Sequence, residues 1–457
     1  MLKKVGRFLF SPIRHWRISL IILIVLGIVY KVADQVLLTK LAARREAIVA
    51  AGGRLSFREF DSKIAPEDNA AAVYAYAVTL LRKTEGWKWE DDYERYLRNC
   101  PCVCSDSSLE DNGDPEKHAL PLTTEEEARL GSFIESSREA FAAFEDAFRR
   151  DSCQFINYSA LPEVLTDASA LNTLVDLAKV RQLARLAAVR AVWEGRHGNV
   201  AEAYHWVTVG LHMANGLTGD PLLLNGMVSV AISSIMLRAF NGVLCVTQFA
   251  QPFPSDLLAE LTVVADRLKA ARFFEGERCF SNAIRVQFGQ TLLRPWLTLN
   301  EMATLDMTTE LIDLMSEPND ALHAARAMEL AHRIKLQPGQ PKLTLLNQHR
   351  ILAEIIRPAL EASVLGFDRG VALARSALIV VALKQCKAEQ GAYPAALEAL
   401  SPQYSKTLPV DPFSGGAFHY RREGDGFVLY SVGQDGRDDG GKRGRKGAGD
   451  QVWCLTN

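Results

Sequence analysis

Three groups of residues in this chain have the types and spacing for chemistry. The first is Cys100, Cys102 and Cys104 in "NCPCVC". A Cys-x-Cys-x-Cys run offers thiolates to a soft metal, but the second Cys-x-x-Cys pair of a zinc site is missing and His118 is the nearest imidazole. In an oxidising compartment the same loop would form one or two disulfides, with Cys153 as a partner. The second group is His197, His205 and His212, spaced eight and seven apart. That spacing puts them on one side of a helical pattern, where they read either as a metal face or as satisfied groove histidines. Acid pairs such as Asp91–Asp92 and Glu125–Glu127 sit at helix starts, where carboxylates complement the helix dipole. No His-Glu-x-x-His, phosphate loop, Gly-x-Ser-x-Gly or Gly-x-Gly-x-x-Gly opens a helix anywhere in the 457 residues. The third group is a run of aspartates near the C-terminus, whose meaning depends on the module that holds it.

The elements that must position these residues are mainly helical. Hydrophobic residues make up 48% of the chain and charged ones 23%, with a formal net charge of -2. Such a balance gives no global attraction to nucleic acid. The dense basic cluster Lys442–Arg443–Arg445–Lys446 is short, and no nucleic-acid partner is expected. Lys3, Lys4, Arg7, Arg14 and Arg17 precede the uncharged run Ile18–Tyr30. The run is short for a span of about 17–25 residues. Trp16, Tyr30 and a snorkelling Lys31 extend it to Leu38. A cleaved signal peptide, with its apolar core of ~7–15 residues, is the alternative. "KVADQ" is a poor cleavage site, and the reading adopted is an uncleaved inner-membrane anchor over 16–38, contacting lipid. The basic flank, residues 1–15, then stays cytoplasmic and the bulk lies outside; an inverted topology is the runner-up.

Beyond the anchor, residues 39–345 predict a helical extracytoplasmic domain with a Cys-bearing loop at 99–122. Thr123 three residues before Glu126 is a capping-box pattern. Phe133, Phe141, Phe144 and Phe148 recur at helical spacing. Two antiparallel helices meet at Gly195–Gly198, with Asn199 as a cap. Asp220 and Pro221 look like the cap and first turn of the next helix, and Pro66 like the first turn of an earlier one. The stretch around "WEGRHGNVAEAYHWVTVGL" resembles one tetratricopeptide-like unit without a fixed repeat, so the fold is an irregular helical bundle or a tetratricopeptide-like array. Cys245, Cys279 and Cys386 lie in apolar helical patterns and read as buried thiols. Residues 346–457 predict a long helix, bent or broken at Pro358, ended by Gly391 and followed by a small β-hairpin around Gly424–Asp425–Gly426.

The order of that last region carries a resemblance. A long helix, "GAYP", "LEALSPQY", "LPVDPFSGGAFHYR" and "FVLYSVGQDGRDDGG" follow one another as in the C-terminal part of the major (G-type) pseudopilin of type II secretion systems. Tyr393, Pro394, Leu408, Pro409, Asp411, Pro412, Tyr420, Ser431, Gly433, Asp435, Gly436, Gly440 and Gly441 match in order. The resemblance covers about residues 370–455. It implies a pseudopilin-like C-terminal fold and a calcium ion in the last loop. Asp435 and Asp450 match the family's ligands, and Asp438 or Asp439 adds a further one. Calcium takes 6–8 oxygens in flexible geometry, which a Gly-rich loop can supply. The chain departs from the family in three ways: four cations at 442–446, no peptidase site or glutamate at the start of the apolar run, and some 300 residues of helical insert. The resemblance therefore implies a shared module in a membrane-anchored, non-enzymatic scaffold, or an accessory of a secretion or pilus-like machine, rather than a working pilus subunit. An extracytoplasmic enzyme is the third alternative, with no motif behind it.

Overall fold

The structure, a computed structural model, describes residues 12–60, 63–81, 123–156, 177–246, 252–288, 293–336, 351–442 and 449–455. The loop at 99–122 with its three cysteines, His118, Asp91–Asp92 and the basic residues 443–446 lie outside them. The fold is mainly helical, with an N-terminal apolar helix and one small antiparallel sheet. The helices are α1 (Pro12–Ala50), α2 (Ala70–Leu81), α3 (Thr124–Ser136), α4 (Arg138–Phe148), α5 (Leu177–Arg196) and α6 (Val200–Gly216), then α7 (Leu223–Val246), α8 (Ser255–Val264), α9 (Ala271–Phe288), α10 (Arg294–Met315), α11 (Asp320–Leu336) and α12 (Ile351–Gln390). The strands are β1 (His419–Glu423), β2 (Gly426–Ser431) and β3 (Gln451–Leu455).

The chain divides into two compact units. One comprises residues 1–59, 278–308 and 341–357. Its small core is Leu41, Met302 and Leu305, with Ile48 and Leu55 against them. Arg44 forks onto Asp306 at 2.9 and 3.2 Å, and Arg45 bridges Glu301 and Asn282. The N-terminal half of α1 has no buried residue between Ile18 and Ala33.

The other unit comprises residues 60–277, 309–340 and 358–457. Its core is built on α5, α6 and α7 packed on one another, with α2 on α4 and α8 on α6. Thr123 caps α3 as the sequence predicts: its Oγ1 accepts from Glu126 N, while Glu126 accepts from Thr123 N. The phenylalanine stripe falls on two helices, broken at Ser137, with Phe133, Phe141 and Phe144 buried. Two predicted helix starts differ. Pro66 opens a short 3-10 turn, and Asn69 caps α2 instead, accepting from Ala71 N at 3.0 Å. Asp220 is fully buried and spends its carboxylate on Phe155 N and Asn225, so α7 starts later, at Leu223. Asn199 also donates to Glu194 rather than capping α6.

The predicted break at Pro358 does not occur: α12 runs on through it. Proline removes one helical hydrogen bond and crowds the preceding turn, but Leu360, Val364 and Phe367 just beyond it are buried and hold the helix in place. Gly391 ends α12 with φ +78°, a conformation open to glycine, and its N–H reaches Lys387 O at 2.8 Å. The hairpin turn is Gly424–Asp425, with Gly424 at φ +57° as the first central residue. The expected two-stranded hairpin is a three-stranded sheet in the order β1-β2-β3, because Gln451–Leu455 pairs with the far side of β2. Every residue of the central strand is buried. Phe418, Phe427, Leu429 and Trp453 join the same core as Ala377, Val380 and Leu383 of α12. The module is fastened to the end of that helix. Lys387 donates to Asp425 O at 2.8 Å and lies 4.5 Å over the Tyr393 ring, and Tyr420 donates to Pro394 O at 2.7 Å. Burial pushes the hydroxyls of Tyr393 and Tyr420 up to about 12.

Candidate functional site

The Gly/Asp loop after β2 positions its aspartates through backbone N–H groups. Asp450, just before β3, is 4% exposed and accepts from Asp439 N at 3.1 Å and Gly441 N at 2.7 Å. Asp438 accepts from Gly440 N at 2.8 Å and from the Tyr430 hydroxyl at 3.0 Å. Asp435 accepts from Arg437 N at 3.3 Å within its own turn. Burial raises the proton affinity of Asp450, the two N–H groups oppose this, and the charges of Asp438 and Asp439 push it further up. Asp438 itself is held below the usual carboxylate range by the Gly440 N–H and the Tyr430 hydroxyl. The charges of Asp438 and Asp439 thus both act on Asp450, the setting a divalent cation would relieve. The Asp450 oxygens meanwhile already receive amide donors. Among the described residues, no group of three or more His, Cys, Asp and Glu side chains is arranged to hold a metal ion.

The histidines separate. His197 lies in the turn after α5 with its ring tilted against Trp193, the ring centroids 4.1 Å apart. His205 and His212 share a face of α6 and meet Phe148 edge-on. His205 pairs with Glu145 at 2.6 Å. His212 places Nδ1 2.8 Å from Glu260 Oε1 and Nε2 3.2 Å from Arg150 O. Both partners only accept, so both ring nitrogens donate, and the imidazolium is the form that satisfies them. Burial works against that charge, but the Glu260 carboxylate outweighs it, helped by Arg150 O and the charge of Asp151, and the pKa is raised. A raised folded value means stability that is fully present below the unfolded value of about 6.5 and is lost as pH rises through the folded one. The stability of the chain should therefore fall above pH ~6.5 by an amount that His212→Gln removes; parallel pH profiles of urea unfolding for the two proteins would expose a missing His212 contribution.

Cys153 and Cys386 are free and buried, Cys279 is buried, and Cys245 is half-buried. Burial, with the charge of Asp220, pushes the Cys153 thiol well up, which makes it a packing residue rather than a nucleophile.

A buried charge cluster among the described residues has no motif in the sequence. Arg267 is 2% exposed and donates to Met315 O at 3.1 Å, to Glu317 O and to Asp320 at 3.3 Å. It also meets His323 Nδ1 at 3.1 Å. Nδ1 of His323 also lies 3.0 Å from Leu314 O, and its Nε2 faces Asp368 at 2.9 Å. Arg375 joins through Asp320 at 3.2 Å and donates to Val410 O at 2.7 Å. His323 and Asp368 are fully buried, so this pair ties α11 to α12 away from solvent. Its contacting side-chain pairs are 45 to 56 residues apart in the chain, beyond any local pattern.

No protein-family model, characterised protein or solved structure matches this chain.

Proposed function

We propose that the chain is a membrane-anchored, non-enzymatic protein. Its helical part is a scaffold for protein partners, and its C-terminal module is a pseudopilin-like cap on α12 that binds calcium. The observation that carries this reading is α1. Over the apolar helix from Ile18 only 6% of the span-length window is buried, whereas the other apolar helix of sufficient length, within α7, is 67% buried and belongs to a core. Trp16, Leu20, Leu23, Ile24, Leu26 and Val29 are all about half exposed or more, a surface that water alone would not stabilise. The basic residues before it favour a cytoplasmic N-terminus. For calcium, Asp435, Asp450 and one of Asp438 and Asp439 would be the ligands. The support is the loop's resemblance and the mutual repulsion around Asp450.

The test is made on the full chain in membranes. Alkaline carbonate extraction should leave it in the pellet, and release into the supernatant would sink the anchor. In detergent, a calcium site filled at 100 times its dissociation constant adds about 2.7 kcal/mol to unfolding. Chelator should remove that increment, and Asp450→Asn should abolish it. An unfolding curve indifferent to chelator refutes the calcium proposal and leaves the anchor standing. The ordered motifs from Tyr393 to Gly441 also favour a second reading, an accessory of a type II secretion or pilus-like assembly. Affinity capture of the intact protein from membranes should then recover such components, and their absence would exclude this reading.

A further inference from the structure

In the unit that contains α1, α10 runs beside it in the same direction. Asp34 pairs with Arg294 at the start of α10 and Arg44 with Asp306 further along both helices, while Leu41 shares a small core with Met302 and Leu305 and Arg45 reaches back to Glu301. From α9, Arg278 donates to Arg54 O, and Asn282 meets both Arg45 and Leu55 O. The start of α10 is therefore level with Asp34, where the bare half of α1 ends. Asp34 is 1% exposed, two residues past Val32 at 58%. It is the only acid between Ile18 and Arg45. Arg294 forks onto both its oxygens, with Nε 3.0 Å from Oδ1. Beside the fork, Leu293 is 59% exposed and Trp296 half-buried.

The bare stretch Ile18–Ala33 is about 24 Å long at 1.5 Å per residue, whereas a bilayer's hydrocarbon is about 30 Å thick. Covering the difference takes roughly four more residues of helix, which draws Asp34 into the lipid boundary. A lone carboxylate is expensive there and charges persist by pairing. A cation brought by a neighbouring helix is what the fold supplies, and that helix must come to the same depth.

We propose that the first turn of α10 is a second membrane contact, in which Leu293 and Trp296 enter the headgroup–acyl boundary beside α1 while Arg294 neutralises Asp34. The partner is the phospholipid surface itself: an exposed leucine, a tryptophan and a paired arginine are the side chains an interface accepts. This inference rests on the reading of α1 as a span.

The experiment uses the full chain in phosphatidylcholine vesicles with brominated acyl chains. An environment-sensitive fluorescent amino acid replaces Leu293, Ile24 or Val49 in three separate preparations. Val49 is equally exposed, at 59%, and lies on α1 beyond the ion pairs. Emission from positions 24 and 293 should be quenched several-fold more than emission from position 49. Quenching at 24 with position 293 behaving like 49 would overturn the second contact and leave the anchor intact; no quenching at 24 would overturn both. With the label at 293, Arg294→Gln should lower the quenching and Asp34→Asn added to it should restore it.

Discussion

Arg267→Ala should destabilise the protein by about 4 kcal/mol in urea unfolding, the scale for breaking a buried ion pair from one side. The guanidinium supplies donors to Met315 O, Glu317 O and Asp320 and meets His323 Nδ1 from a position 2% exposed. Alanine takes the guanidinium donors from the Met315 and Glu317 carbonyls and leaves the buried His323 ring without that neighbour. Asp320 keeps Arg375, which bounds the loss. Arg267→Lys retains the charge but not the planar fork, so it should recover only part of the stability. Lys269→Ala, two residues away and exposed, is the control and should stay within about 0.5 kcal/mol of the parent. A loss below 1 kcal/mol for Arg267→Ala would mean that the network contributes no more than a surface pair.

Asp411→Ala is the second large effect, about 3 kcal/mol, and it should be local to the C-terminal module. Asp411 is fully buried. Its Oδ1 accepts from Phe413 N at 3.0 Å and the Ser431 hydroxyl at 2.8 Å, and its Oδ2 accepts from Val432 N at 3.3 Å. One carboxylate thus ties the turn after Val410 to the end of the central strand. Hydrogen bonds to a charged group contribute about 1.5–3 kcal/mol each, and unpaired buried donors are costly. Asp411→Asn should be nearly as damaging, because its amide has one acceptor oxygen for donors on both sides. Limited trypsin digestion of the folded protein should cut the β1–β2 region at Arg421 or Arg422 faster in both variants. Unchanged digestion with unchanged stability would remove Asp411 from this role.

Much of this architecture can be read from local signals. The apolar helix, the Thr123–Glu126 box, the Gly391 stop and the Gly424 turn each depend on a few neighbouring residues, and each is found where the sequence predicts it. Features decided by distant partners are not legible. Asp220 and Asn199 have the composition of caps, but a backbone N–H 65 residues away and a glutamate in the preceding helix bind them instead. "QVWCL" is too short to announce a strand; it becomes β3 because β2 presents a free edge. Asp411 is recognisable as part of an Asp-Pro turn, yet its place beneath Ser431 and Val432 is a tertiary fact. The aspartates of the Gly/Asp loop were picked out by resemblance, and the structure brings Asp438, Asp439 and Asp450 into one electrostatic group while Asp435 serves its own turn.

The pairing of Asp34 with Arg294 spans 260 residues of chain. A ribosome adding ~5–20 residues per second needs roughly 13–50 s to travel that far. Throughout that interval α1 is already made while the arginine that pairs with its acid does not yet exist. The nascent helix must therefore keep Asp34 hydrated until α10 emerges, and under the proposed reading of α1 as a span its final depth in a bilayer would be set late in synthesis rather than at insertion.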